Sequence, residues 1–188
     1  MNLVIISDDY LPNSTRVHAK MLHELALELK SRGHAVTVLT PGKASQSSKL
    51  VKESLDGISV WRFRSGPVKN ISRIRRLINE SLLSFRAWQA IKPELSTMKV
   101  DGVVYYSPSI FFGFLVAKLK RHFDCRAYLV LRDLFPQWAI DENMIGEHSP
   151  VTYYLRYFEQ KNYLAADRIG LMSEKNIEVF SKLQPKFT

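Results

Sequence analysis

Charged and hydroxyl side chains gather in four short runs, each following an apolar, β-branched stretch. They read Asp8-Asp9-Tyr10-Leu11-Pro12-Asn13-Ser14-Thr15-Arg16, Tyr106-Ser107-Pro108-Ser109, Arg132-Asp133-Leu134-Phe135-Pro136-Gln137-Trp138 and Ser173-Glu174-Lys175. Ser14, Thr15 and Arg16 lead onto the start of a helix, where free backbone N–H groups and the helix dipole favour an anion. An ordinary capped helix with a solvated arginine would leave the same pattern. Arg132 and Asp133 follow Tyr128-Leu129-Val130-Leu131 and should project from the end of a central strand. There Asp133 could orient a hydroxyl or accept its proton, and Arg132 could hold a phosphate. The alternative is a structural ion pair with a neighbouring loop. Ser107 and Ser109 add hydroxyls for polar ligand contacts.

Several chemistries are excluded. The first run lacks the G-x-G-x-x-G fingerprint of dinucleotide sites. No P-loop and no Ser-His-Asp set can be assembled. His34 reads as structural in a Gly-His turn, and His18, His23, His122 and His148 show no metal-ligand spacing, so neither metal nor cofactor is expected. The single cysteine, Cys125, rules out an intrachain disulfide and reads as a buried thiol in a reducing setting.

The elements that must position these runs are strands at residues 3–7, 35–40, 58–63, 102–106, 126–131 and 168–172, most of them separated by helix-length amphipathic stretches. That alternation predicts an α/β fold, a Rossmann-like, doubly wound parallel sheet with helices on both faces. In such sheets ligands bind at the carboxyl ends of the strands, near the point where strand order reverses. The first helix is capped by Asn13 or Ser14, carries Val17, Met21, Leu22, Leu25, Ala26 and Leu29 at helical spacing, and stops at Gly33. Residues 43–52 read as a polar loop. The last helix meets Pro185 close to the end of the chain, so a further domain is expected beyond it.

The net charge of +9 is uneven: residues 41–92 carry eleven basic side chains against three acidic ones. A localised basic surface calls for an anionic partner. Within it, residues 71–91 predict a helix with Ile71, Ile74, Ile78, Leu82 and Phe85 along one stripe and Trp88 near its continuation. Lys69, Arg73 and Arg76 form a ridge beside the stripe, with Arg75 close by, while Leu77 and Leu83 lie away from it. No segment is long and apolar enough to span a membrane, and the start of the chain does not read as a secretory signal. A helix-turn-helix or RNA-recognition pattern is missing, so nucleic acid is not expected as a partner.

Tyr10-Leu11-Pro12, Leu25, Leu29 and Gly33-His34-x-Val36-x-Val38-x-Thr40 resemble the opening of family 4 retaining glycosyltransferases of the GT-B fold. Residues 101–108, Arg132-Asp133-Leu134-Phe135-Pro136, Glu159, Ala166-Asp167-Arg168-Ile169 and Ser173 extend the likeness over essentially the whole chain. The Arg-Asp-Leu-aromatic-Pro run is similar to the branch adding N-acetylfucosamine-type sugars in O-antigen and capsule assembly. The resemblance implies an N-terminal, acceptor-side domain whose donor-binding partner domain lies outside this chain. It further implies a nucleotide-sugar donor, a polyprenyl-diphosphate-linked acceptor and no metal. Many relatives carry Gly-Gly where this chain has Asn13-Ser14-Thr15-Arg16, which shifts any phosphate contact toward Ser14, Thr15 and Arg16. Phe135 and Trp138 read as core plugs, with a sugar platform as the alternative. For such an acceptor the cationic helix, with Lys69, Arg73, Arg75, Arg76 and Trp88, would dock on an anionic membrane, placing the protein on the cytoplasmic face. A non-catalytic, membrane-recruiting scaffold subunit is the competing reading.

Overall fold

The computed structural model describes residues 1–67, 71–107 and 109–187. Its strands form one sheet in the order β3-β4-β2-β1-β5-β6-β7. The central strand is β1 (Asn2–Ile6), flanked in parallel by β2 (Ala35–Gly42) and β5 (Gly102–Ser107). Beyond β2 runs β4 (Ile58–Arg64), and beyond β5 run β6 (Arg126–Leu131) and β7 (Arg168–Leu171), all parallel. All six expected strands are present.

One further strand, β3 (Leu50–Leu55), pairs antiparallel with β4 at the sheet edge, partly inside the stretch expected to be a loop. Asp56 and Gly57 join the two with φ of 51° and 74°, the left-handed pair that matches hairpin twist. Lys52, Glu53 and Ser54 are exposed. Their polarity hides the strand from a hydrophobicity reading and suits an edge that should not recruit another strand.

On one face, α1 (Val17–Ser31) buries Leu22 and Ala26 against Ile5, Val36, Val38 and Tyr106. The expected cap is displaced: Arg16 occupies the cap position and no side chain caps the helix. Ser14 instead donates to Asp9 Oδ2 (2.7 Å) and accepts from the Arg16 N–H (3.1 Å), closing the preceding turn. Gly33, at φ 82°, ends the helix as expected.

The opposite face carries α3 (Leu83–Ile91), α4 (Gly113–Phe123), the short α5 (Gln137–Asp141), α6 (Pro150–Ala165) and α7 (Glu174–Leu183). The helix expected over 71–91 is two helices, α2 (Arg73–Ser81) and α3, parted at Leu82. The stripe also turns the other way. Ile74, Ile78, Leu82 and Phe85 face solvent, whereas Leu83, Ala87, Ala90 and Ile91 are core. Ser84 fixes that rotation by donating to the Phe111 carbonyl (2.5 Å) and accepting from the Leu115 N–H (3.1 Å). Trp88 is likewise not a free docking side chain. It packs against the core, with His122 at its edge (6.4 Å between ring centroids) and Lys118 over its face (5.2 Å).

Candidate active-site crevice

From β1 the chain first builds the sheet toward β2 and β4, then returns to add β5, β6 and β7 on the other side. Strand order therefore reverses at β1, and the carboxyl ends of β1, β2 and β5 open a crevice. Asp8 enters it from the loop after β1, with Arg16 Nη1 3.8 Å and His18 Nε2 3.6 Å away. The His18 ring stacks on Tyr106 from β5 (5.1 Å, 21° between planes). The Tyr106 hydroxyl in turn accepts from Arg132 Nη1 of the loop after β6 (3.5 Å). The loops after β1 and β6 are thus joined, through α1 and β5, by one line of polar side chains, Arg16–Asp8–His18–Tyr106–Arg132.

That line is incomplete in a particular way. Asp8 Oδ1, His18 Nε2, Thr40 Oγ1 and Ser107 Oγ are buried at the strand ends and have no hydrogen-bond partner among the described residues. Each such atom costs about 1–3 kcal/mol, and native proteins leave few of them. Asp8 and His18 face each other at a separation too long for a direct hydrogen bond. A ligand hydroxyl set between them could donate to the carboxylate and accept from an imidazole N–H. Burial pushes the Asp8 carboxyl above the usual carboxylate range, against the pull of His18 and Arg16. Burial also raises the Tyr106 phenol, which Arg132 partly offsets. The bond to Tyr106 raises the Arg132 guanidinium, and the Asp133 charge adds to it.

Of the expected residues, Arg16, Ser107, Arg132 and Asp133 do share this rim. Arg16 and Arg132 end the polar line, Ser107 is fully buried at the tip of β5, and Asp133 is exposed within electrostatic reach of Arg132 and Tyr106. Ser109 is buried just before a short 3-10 helix, Ile110–Phe112, and Thr15 is exposed. Ser14 differs from expectation: both roles of its hydroxyl are spent inside the first loop, so it shapes that loop. Phe135 packs on the core, 5.8 Å from an exposed Trp138.

Beside the polar line lies a cavity of about 550 Å³ that Asp8, Arg16, Lys43, Arg62, Arg76 and Glu80 help to line. Its arginines are paired. Arg16 faces Asp8 and Asp9, Arg62 Nε donates to Glu53 (2.9 Å), and Arg76 Nε donates to Glu80 (2.8 Å). Arg62 is buried and also donates to the Leu11 carbonyl, tying the first loop to β4. Paired guanidinium and carboxylate groups offer donors and acceptors side by side, which suits a polyhydroxylated ligand. Arg76, expected on the membrane-docking ridge, is exposed and also lines this cavity through its pair with Glu80. Arg73 and Arg75 are exposed, and Lys69 lies outside the described residues.

His18, Arg62 and Glu80 escaped the sequence reading as site residues, and Tyr106 stood in its run without a role. Each is an unremarkable member of a helix or strand pattern, and its partner lies far away in the chain. Among the described residues no group of three or more His, Cys, Asp or Glu side chains could hold a metal ion.

No protein-family model and no curated protein sequence matches the chain. Solved structures do match. Sucrose-phosphate synthase from Thermosynechococcus elongatus superposes with TM-score 0.68 at 12% identity, over 97% of this chain and 45% of that one. An alpha,alpha-trehalose-phosphate synthase (UDP-forming) from Burkholderia vietnamiensis gives TM-score 0.57 at 10% identity, over 99% and 43%. A ugt transferase from Siraitia grosvenorii in complex with UDP gives 0.55 at 12%, over 98% and 48%. The fold is the Rossmann-like one of GT-B glycosyltransferases, and this chain spans less than half the length of each of these three.

Proposed function

We propose that the chain is the acceptor-side domain of a retaining glycosyltransferase. It would move a sugar from a nucleotide-sugar donor to a polyprenyl-diphosphate-linked sugar during bacterial surface-polysaccharide assembly, such as O-antigen or capsule. The supporting observation is the set of buried, unpartnered atoms Asp8 Oδ1, His18 Nε2 and Ser107 Oγ at the strand-order reversal, beside a cavity of paired charges. Such groups meet sugar hydroxyls well, because each hydroxyl both donates and accepts.

In this reading a second domain holds the donor sugar and nucleotide across the crevice. Asp133 lies nearest the reacting hydroxyl, Arg132 and Arg16 meet phosphate oxygens, and Ser107 and Ser109 contact the acceptor. Asp8 and His18 fix an acceptor hydroxyl. The chemistry needs no metal or cofactor beyond the donor itself, since the arginines can stabilise charge developing on the leaving diphosphate. The acceptor lies in a membrane leaflet, so the protein works as a peripheral protein on its cytoplasmic face, with α2 and its exposed Arg73 and Arg75 toward the anionic surface.

The test is mass-spectrometric detection of product from the full-length protein offered a panel of nucleotide sugars and lipid-diphosphate sugars. Transfer to a lipid-linked acceptor is expected. Asp133→Ala should cut turnover by about 10²–10⁴-fold with an unchanged circular dichroism spectrum. Near-normal turnover would remove Asp133 from the mechanism, and no transfer from any donor would overturn the reading.

A further inference from the structure

Helices α2, α3, α4 and α6 lie on the same side of the sheet and carry nine lysine and arginine side chains against two carboxylates, Glu80 and Glu159. The two pair with Arg76 and Arg156, and Lys120 pairs with Asp167 (2.8 Å), which leaves Arg73, Arg75, Lys118, Arg121 and Lys161 in excess. Glu159 is buried, accepting from Arg156 Nη1 (2.9 Å) and the Tyr163 hydroxyl (3.0 Å), and Glu80 is paired with Arg76 in the crevice. Half of these helices thus lies outside the basic 41–92 segment of the sequence. Tertiary packing brings their cations together.

The same surface is apolar in a specific way. Tyr153, Tyr157 and Leu164 recur on the outer stripe of α6 and are 63%, 51% and 63% exposed. The Tyr154 hydroxyl donates to Ser81 Oγ (2.7 Å), which joins α6 to the end of α2. Ile74 and Ile78 are exposed on the same side of α2 as Ser81, and Phe114 of α4 lies 6.2 Å from the Tyr157 ring. Lys161 extends over the Tyr157 face (5.5 Å).

We infer that this composite surface docks on an anionic lipid bilayer, with the α6 tyrosines as its interfacial anchors. Arg73, Arg75, Lys118 and Lys161 then face lipid phosphates. Charge complementarity decides the occupant. The surface offers cations without an exposed carboxylate on any of its four helices, and its aromatic residues include the type that settles where one end is apolar and the other wet. Exposed Ile, Leu and Tyr side chains along the outer stripes of these helices suit shallow insertion at headgroup level. The inference rests on the membrane-bound acceptor proposed above and adds a second contact, α6, to the one on α2.

Co-sedimentation with vesicles made of equal parts phosphatidylcholine and phosphatidylglycerol, against phosphatidylcholine alone, tests it. The wild-type chain should bind the anionic vesicles. Combined Tyr153→Ser, Tyr157→Ser and Leu164→Ser should weaken binding at least about tenfold, persistently at raised salt, with an unchanged melting temperature. Combined Arg73→Glu and Arg75→Glu should weaken it at low salt, a loss that raised salt reproduces in the wild type. If the α6 variant binds like wild type while the α2 variant does not, the α6 inference fails and the membrane reading of α2 stands. If the wild type ignores both vesicles, both fall, and the product assay still decides glycosyl transfer separately. A dimer in light scattering that the α6 variant splits, with no vesicle binding, would give the surface to a second copy and overturn the inference.

Discussion

The two helical coverings of the sheet obey different rules. On one face α1 buries Leu22 and Ala26, and its outward charges balance in sign: Lys20 stands 3.7 Å from Glu24, and Arg32, just past its end, 2.7 Å from Glu28. On the other, Arg76, Lys120 and Arg156 are paired with Glu80, Asp167 and Glu159, but the cations of α2, α3, α4 and α6 outnumber the carboxylates, and Ile74, Ile78, Tyr153 and Tyr157 are exposed among them. Surface ion pairs of the α1 kind contribute little stability. The excess of cations over carboxylates on those four helices, against the balance on α1, distinguishes a face made only for water from one made for a charged, partly apolar environment.

The sharpest way to break this comparison is to mutate the two stripes of residues 73–91 separately. Leu83→Ala, on the buried stripe, should lower unfolding free energy by about 2–5 kcal/mol, read from urea midpoints. Ile78→Ser, on the exposed stripe, should stay within about 0.5 kcal/mol. Equal losses at both positions would mean that the outward stripe is covered and that the two coverings are alike after all.

A smaller effect is expected where the crevice meets α1. Burial holds the Asp8 carboxyl above its ordinary value, so the folded chain keeps that proton more tightly than the unfolded chain does. Stability from this group is greatest below the ordinary aspartate value and is lost as pH rises through the raised folded value. Asp8→Asn should flatten that loss and stabilise the ligand-free chain near neutrality, read from urea midpoints against pH. Wild-type stability that rises over the same window would show the Asp8 charge to be favourable where it stands. The smallest effect tests α1 itself. Lys20→Glu and Lys30→Glu should leave binding to anionic vesicles nearly unchanged, whereas the α2 reversal does not; equal losses would make the basic surface a whole-molecule property.

Much of the frame was legible from residue order. The six apolar strands, the stop at Gly33 and the rim positions of Arg16, Ser107, Arg132 and Asp133 follow from period and from the rule that loops after parallel strands meet at one end. The β3–β4 hairpin had a signal in Asp56-Gly57, but the charged residues of β3 masked it. The 71–91 helix misled for a physical reason. Both of its stripes are apolar, so hydrophobic spacing cannot choose between them, and the choice rests on Ser84 bonding to Phe111 and Leu115. Arg76 is the surface cation its position implies, and Glu80, four residues on, reads as a routine helix pair. Only the approach of α2 to the first loop turns that pair into a crevice wall.

Sequence by itself determined the alternation of strand and helix, the parallel sheet and the end of it at which polar groups gather, because these depend on neighbours a few residues apart. Tertiary structure alone decided that Asp8 meets His18, that His18 lies on Tyr106, and that the cations of α4 and α6 join those of α2. Those pairings are set by how whole helices rotate and seat on the sheet, a balance of packing between segments far apart in the chain that no local pattern encodes.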